Sequence, residues 1–307
     1  MLKVGARRRM SLTRARENIT GWLMASPWLI GFLIFTLGPM IASVVLSLHE
    51  WDLILPPKWV GLYQFRKMLN DPLVYQSLKV TTIYAATSVP LYIVLGLAVA
   101  LLLNQDIKPV GFWRTVYFLP SVVSGVAVAL LWMWIFNGQF GVLNWLLRVL
   151  LDIKGPNWLV DERWALPALV IMSLWGVGGA VLINLAGLQG IPTGLYEAAE
   201  IDGANAGQRF WAITIPMMSP VLFFNLVNGM IAALQVFTGP YVMTNGGPNN
   251  ATLVLMLYLY WNAFSYFRMG YGSALAWLLF FYILILTLLM LRSSSAWVYY
   301  EGSLRRR

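Results

Sequence analysis

The chain has 307 residues, 59% of them hydrophobic and only 11% charged, against roughly 25% charged in ordinary soluble domains. That balance excludes a soluble enzyme or binding domain over most of the length, and no polar stretch is long enough to hold one separately. The net charge of +9 gathers at the two ends, which suits membrane topology better than a nucleic-acid face, and the absence of cysteine removes disulfides, thiol nucleophiles and thiolate metal sites.

A bilayer core takes roughly 20 helical residues, so long uncharged runs are candidate spans. In chain order they are Trp22 to Leu48, Val80 to Leu103, Thr115 to Phe136, Trp164 to Ala186, Met217 to Phe237 and Tyr271 to Leu291. Arg7, Arg8, Arg9, Arg14 and Arg16 precede the first run as they would a secretory signal. Its 27 residues are too many for a signal core, however, and no small-residue cleavage site follows, so it reads as a span. His49, beside Glu50 and Trp51, reads as an interfacial residue closing that run. Pro27, Pro39, Pro90, Pro120, Pro167 and Pro220 fall inside the runs, where membrane helices tolerate them and kink.

Between the spans, Phe140 to Leu151 reads as an amphipathic outer helix, with Val142, Trp145, Leu146, Val149 and Leu150 on one face and Asn144 and Arg148 opposite. Ala251 to Phe267 is apolar and aromatic enough for a seventh span. Two basic termini on one side require an even number of crossings, so the segment is expected at or partly entering the outer interface. With the amino terminus inside, the inner segments carry 13 basic residues and the outer ones 8, the latter among six acids. The organisation expected is one membrane domain, 22–291, between basic cytoplasmic tails at 1–21 and 292–307.

Within the six runs there is no Asp, Glu, Lys, Arg or His. Ion-coupled transporters usually place an ionisable side chain at depth, so this lowers the case for ion coupling. The deep polar residues are neutral. Asn225, Asn228 and Gln235 fall near one helical stripe, and two readings are open: hydrogen bonds between helices, or a lining for an uncharged solute. Under the second reading the pathway candidates are Ser173, Trp175, Gly176, Asn225, Asn228, Gln235 and Tyr241. Gly176, Gly178 and Gly179 fit either a thin wall or close helix packing.

The stretch 187–212 is the longest hydrophilic segment on the inside. Pro192 and Thr193 open a helix through Leu195, Tyr196, Glu197, Ala198, Ala199, Glu200 and Ile201, and Gly203 stops it. Asn205 and Gln208 are spaced as a capping box for a second short helix ahead of Pro216. Its mixture of apolar and acidic residues suits a knob docking into a groove on another protein, and equally an ordinary connecting loop.

The run from Glu197 to Pro220, EAAEIDGANAGQRFWAITIPMMSP, closely resembles the EAA signature of permease subunits in binding-protein-dependent ABC importers. Glu197, Ala198 and Ala199 match its opening, Asp202, Gly203 and Ala204 its centre, and Ile213 and Pro216 its close, while Ile215 stands where leucine is usual. Ser26 to Phe32, Thr244 to Pro248 and Gly270 to Ala274 resemble the carbohydrate-uptake, MalF-like branch. The resemblance implies an all-α type I ABC importer permease fold of about six transmembrane helices in a bacterial inner membrane. It also implies that the loop docks on an ATPase through Glu197, Ala198, Ala199, Asp202, Gly203, Ala204 and Pro216. A second homologous permease, two ATPase subunits and an external solute-binding protein are the implied partners. None of the six lysines precedes Ser or Thr, so no phosphate-binding loop of the GK[ST] kind is present and no catalytic or metal-ligating set stands out. The expectation is a non-enzymatic chain that binds no cofactor itself, with ATP and Mg acting through partner subunits.

Overall fold

The computed structural model describes residues 12–105 and 108–299. About half of each expected basic tail, 1–11 and 300–307, therefore lies outside the described residues, while 12–21 is already helical. Helix α1 (Leu12–Phe32) passes through a π-turn, Leu33–Leu37, into α2 (Gly38–Ser47). Pro39 has no N–H to offer the turn before it, and the amide of Gly38 reaches back to Leu33 O instead. The result is a span, Glu17–Ser47, whose most apolar window has no buried residue in this chain.

A two-residue pairing of β1 (His49–Glu50) with β2 (Lys58–Trp59) follows, then α3 (Tyr63–Leu69) and α4 (Pro72–Leu103). The Asp71 side chain caps α4 through the Leu73 N–H at 3.0 Å, and Pro72 sits in the first turn, where its missing N–H costs nothing. At 32 residues α4 is the longest helix described, and several of the later helices pack against it.

The third and fourth runs are bent pairs. α5 (Val110–Val122) and α6 (Gly125–Ile135) meet at 100°, and α8 (Glu162–Leu174) and α9 (Gly178–Gln189) at 48°. The single span expected over Thr115 to Phe136, kinked at Pro120, is therefore broken outright. Pro120 removes a backbone donor near the end of α5, and Val123 and Ser124 take extended backbone before Gly125 restarts the helix. Among the described residues four spans are unbroken, and the two bent pairs bring the candidates to six.

Between those pairs, α7 (Val142–Leu151) forms where an amphipathic helix was expected, with its burial reversed. Asn144, placed on the outer face by sequence, is 4% exposed. Its Nδ2 donates to Gly138 O and Pro156 O, and its Oδ1 accepts from Trp158 Nε1 at 2.7 Å. One fully satisfied amide holds the helix down, so Trp145, Val149 and Leu150 point away from the chain.

After α10 (Thr193–Ile201), the box predicted at Asn205 and Gln208 is present, both reciprocal bonds being made. It opens α11 (Ala206–Arg209), which is the first turn of the fifth span rather than a separate helix. Through a π-turn, Phe210–Thr214, it runs into α12 (Ile215–Leu234).

α13 (Leu255–Tyr260) and a π-turn, Trp261–Ser265, occupy the ambiguous aromatic segment and are too short to cross a bilayer. Rather than lying on a surface, this segment is packed into the protein: Leu253, Val254, Leu255 and Leu257 have no exposure and pack against α4 and α14 (Met269–Trp297).

At one end of the bundle, Asp71 Oδ2 accepts the hydroxyls of both Tyr258 and Tyr271, the latter at 2.6 Å, pinning α4, α13 and α14 together. Burial, reinforced by the neighbouring carboxylate, pushes the Tyr258 hydroxyl up to about 12. An unfolded tyrosine ionises near 10, so this stabilisation is complete below about pH 10 and is lost as pH rises toward 12. Thermal unfolding in detergent should accordingly be flat from neutral pH to about 9 and fall above 10. Asp71→Asn should destabilise by about 1.5–3 kcal/mol, the range for hydrogen bonds to charged groups, and flatten that alkaline limb. At the opposite end, Tyr299 N donates to Ser219 Oγ at 2.8 Å and Phe223 meets Trp297, so α12 begins where α14 ends.

Candidate functional site

Two features follow from this arrangement. The first is α10, which has no buried residue. Its C-terminus closes by two bonds, Gly203 N to Glu200 O at 3.0 Å and Ala204 N to Ala199 O at 2.9 Å, the paired pattern of a Schellman cap. Gly203 lies at φ +78°, which a side-chain-bearing residue resists, and a Cβ there would meet nothing, so the requirement is conformational.

Tyr196 anchors the helix, its hydroxyl 2.9 Å from Thr214 Oγ1, and Arg209 holds Glu200 at 3.4 Å. Those bonds leave Glu197, Ala198 and Asp202 exposed, with Ala199 and Ala204 half-buried. Pro216 sits half-buried in the first turn of α12. Ile201 is 87% exposed and Trp211 70%, so the knob shows acidic and large apolar side chains together.

The second feature is a cavity of about 410 Å³ between α4, α8, α9 and α12. Ser173, Asn225 and Asn228, three of the pathway candidates, line it beside Tyr84, Ser88 and Tyr92 of α4. Its wall contains no Asp, Glu, Lys, Arg or His. Asn225 Nδ2 donates to Asn184 Oδ1 at 2.8 Å, joining α12 to α9, and is 4% exposed. Asn228 bonds only its own helix, to Phe224 O at 2.8 Å, and is exposed toward the hollow. Ser88 Oγ is buried without a hydrogen-bond partner. Such an atom favours a ligand or water that can supply one.

The other four candidates do not reach this cavity. Trp175 packs edge-on against Trp132, with centroids 6.3 Å apart, and Gly176 lies beside it at the α8–α9 bend. Tyr241 stacks on Phe237 and meets Tyr260. Gln235 follows α12 as its cap residue, off the helical stripe, and lines a separate apolar hollow with Met256 and Phe280. Of the glycines, Gly178 packs against α5, where a Cβ would stand 2.5 Å from Tyr117 O, whereas Gly179 lines the cavity near the Tyr92 hydroxyl.

The α4 wall was missed from sequence. Ser77, Thr81, Tyr84, Ser88 and Tyr92 recur at helical spacing along one face, and that stripe was the available signal.

These elements define a multi-pass helical membrane protein with an uncharged hollow among its spans and a capped, exposed helix at one end. The chain belongs to the binding-protein-dependent transport system inner membrane component family, whose model matches residues 92–298. Among its relatives, the probable ABC transporter permease protein YesP of Bacillus subtilis (strain 168) is 43% identical over 291 residues, 94% of each chain. The trehalose/maltose transport system permease protein MalF of Thermococcus litoralis is 37% identical over 287 residues, 92% of this chain and 96% of that one. A chain of the bacterial alginate ABC transporter, solved with an alginate pentasaccharide-bound periplasmic protein, superposes with TM-score 0.81 at 22% identity, covering 93% of this chain and 97% of that one. The fold is that of a type I ABC importer permease, and the chain is a transport component rather than an enzyme.

Proposed function

We propose that this chain is one of two homologous pore subunits of an ATP-driven importer that takes a carbohydrate from an external binding protein into the cytoplasm. The observation that carries the solute class is the uncharged cavity, where Tyr84, Ser88, Tyr92, Ser173 and Asn228 present hydroxyl and amide groups and no ionisable side chain of high charge. Such groups recognise hydroxyls and leave no counter-ion for a charged solute. Sugar systems among the relatives, such as the lactose permease LacF of Rhizobium radiobacter at 34% identity, support the same class.

In this reading both termini are cytoplasmic, α10 is the coupling helix, and Glu197, Ala198, Ala199, Asp202, Gly203, Ala204 and Pro216 form or position its contact with an ATPase. Two ATPase subunits hold the ATP and Mg. Their closure moves the coupling helices, and the paired permeases rock between outward- and inward-facing states.

Because the chain lacks cysteine, Ala198→Cys gives a single reporter. It is expected to crosslink to the ATPase in assembled transporter, with ATP-dependent sugar uptake in proteoliposomes supplied with the binding protein. Uptake by this chain without ATPase or binding protein, together with no crosslink, would overturn the proposal.

A further inference from the structure

A separate hollow of about 470 Å³ lies at the end of the bundle that carries β1 and β2. Gln64 of α3 lines it and is 4% exposed. Its Nε2 donates to His49 O at 3.2 Å, which fixes the amide's orientation and leaves Oε1 buried with no donor. A buried acceptor left unpaired is costly and points to a missing partner.

Side chains of both signs line the same hollow. Lys67 Nζ lies 5.0 Å from the Tyr271 ring centre and the Arg268 guanidinium 5.7 Å from that of Tyr266. Glu50 faces Lys58 across the strand pair. Asp52 is already bonded to the N–H groups of Leu55 and Ile54, which hold its carboxyl below the usual range. None of these five groups forms an ion pair; among the described residues that contact is made by Arg209 and Glu200. An ion of either sign would meet like charge here. A neutral ligand rich in hydroxyls would not, since each hydroxyl both donates and accepts, and the rings of Trp51 and Tyr266 offer apolar faces to it.

We propose that this cleft is a carbohydrate-binding subsite on the outer face, distinct from the cavity between the spans. In it Lys67 and Arg268 donate to sugar oxygens, and Gln64 Oε1, closed off from solvent in this structure, accepts a sugar hydroxyl once the side chains over it part. The volume falls in the range of small-molecule sites. The choice of a carbohydrate among polyhydroxylated ligands, and the outward placement, rest on the function proposed above. The subsite would meet solute before it enters the spans.

The test again uses the cysteine-free background. Leu55→Cys at the rim, 57% exposed in the native residue, is placed in the complete transporter in right-side-out vesicles stripped of binding protein. Its rate of modification by a membrane-impermeant maleimide is then measured with maltose, trehalose or lactose. At least one sugar should slow labelling saturably, by about threefold when present at twice its dissociation constant. Gln64→Leu and, separately, the milder Lys67→Gln should remove the protection, while Asn228→Leu in the span cavity should leave it.

No protection by any of the three sugars would overturn the subsite. So would protection lost equally in Asn228→Leu, which would report motion driven from the spans. Protection given by binding protein alone and not by sugar would assign the cleft to protein docking instead. ATP-dependent uptake, measured in vesicles of the same preparation loaded with ATP and resupplied with binding protein, separates the two proposals: normal uptake without protection rejects only the subsite, and protection without ATP-dependent uptake rejects only the importer.

Discussion

Glu197→Lys is expected to reduce transport on the order of 100-fold or more while leaving membrane insertion and thermal stability unchanged. Glu197 is exposed on α10 and makes no ion pair among the described residues, its neighbour Glu200 being the one engaged by Arg209. Reversing its charge therefore breaks no ion pair among them. At a docked interface the same change sets like charge against whatever cation the carboxylate meets, and breaking one partner of a buried charge pair costs about 2–5 kcal/mol. At about 1.4 kcal/mol per decade, even the middle of that range removes productive coupling.

Glu200→Lys is the internal comparison. It breaks the contact with Arg209 and should loosen α10 against α11, giving a partial loss together with a small stability change. Uptake and solute-stimulated ATPase activity in proteoliposomes, measured beside the melting temperature, separate the two. Normal stimulated ATPase activity in Glu197→Lys would remove this helix from the coupling role.

How far the site was legible in the sequence depends on whether each residue's partner is local. The end of α10 and the start of α11 were readable because Gly203, Asn205 and Gln208 act within four residues of themselves, and the cap and box follow from spacing alone. The spans were readable because lipid tolerates few charges.

Asn144 was misread because its partners, Gly138, Pro156 and Trp158, lie up to 14 residues away across a loop, and a helical wheel assigns an amide to solvent by default. The aromatic segment near Tyr258 looked superficial for a similar reason. Its burial depends on α4 and α14, and the bond from Tyr258 to Asp71 spans 187 positions. Tyr84 and Tyr92 escaped notice because a hydropathy scan treats tyrosine as apolar, although its hydroxyl is what the cavity presents. Gln235 was placed on the wrong wall because the 3.6-residue rule was carried one position past the end of α12.

The two asparagines of α12 now separate the readings that the sequence left open, and their substitutions are expected to differ in kind. Asn225→Leu removes the donor to Asn184 Oδ1, whose Nδ2 already lacks a partner, and leaves that amide unsatisfied between α9 and α12. Interhelical hydrogen bonds in membranes contribute about 0.6–2 kcal/mol, so the expected result is a lower melting temperature with the solute dependence of uptake retained.

Asn228 joins no helices, since its amide returns to Phe224 O on the same strip of α12 and faces the hollow near Tyr92 and Ser88. Asn228→Leu should leave the melting temperature within about 0.5 kcal/mol of equivalent stability, as substitutions without buried partners do. It should raise the KM for sugar roughly 3–10-fold, the cost of one lost hydrogen bond of about 0.5–1.5 kcal/mol. Adding Tyr92→Phe should compound the KM change, because both groups would contact one small ligand and substitutions that share a partner couple. If Asn228→Leu instead lowered the melting temperature and left KM alone, both asparagines would be helix contacts. The solute path would then have to run along the α4 wall of the cavity without Asn228, because Tyr84, Ser88 and Tyr92 supply the remaining hydroxyls there.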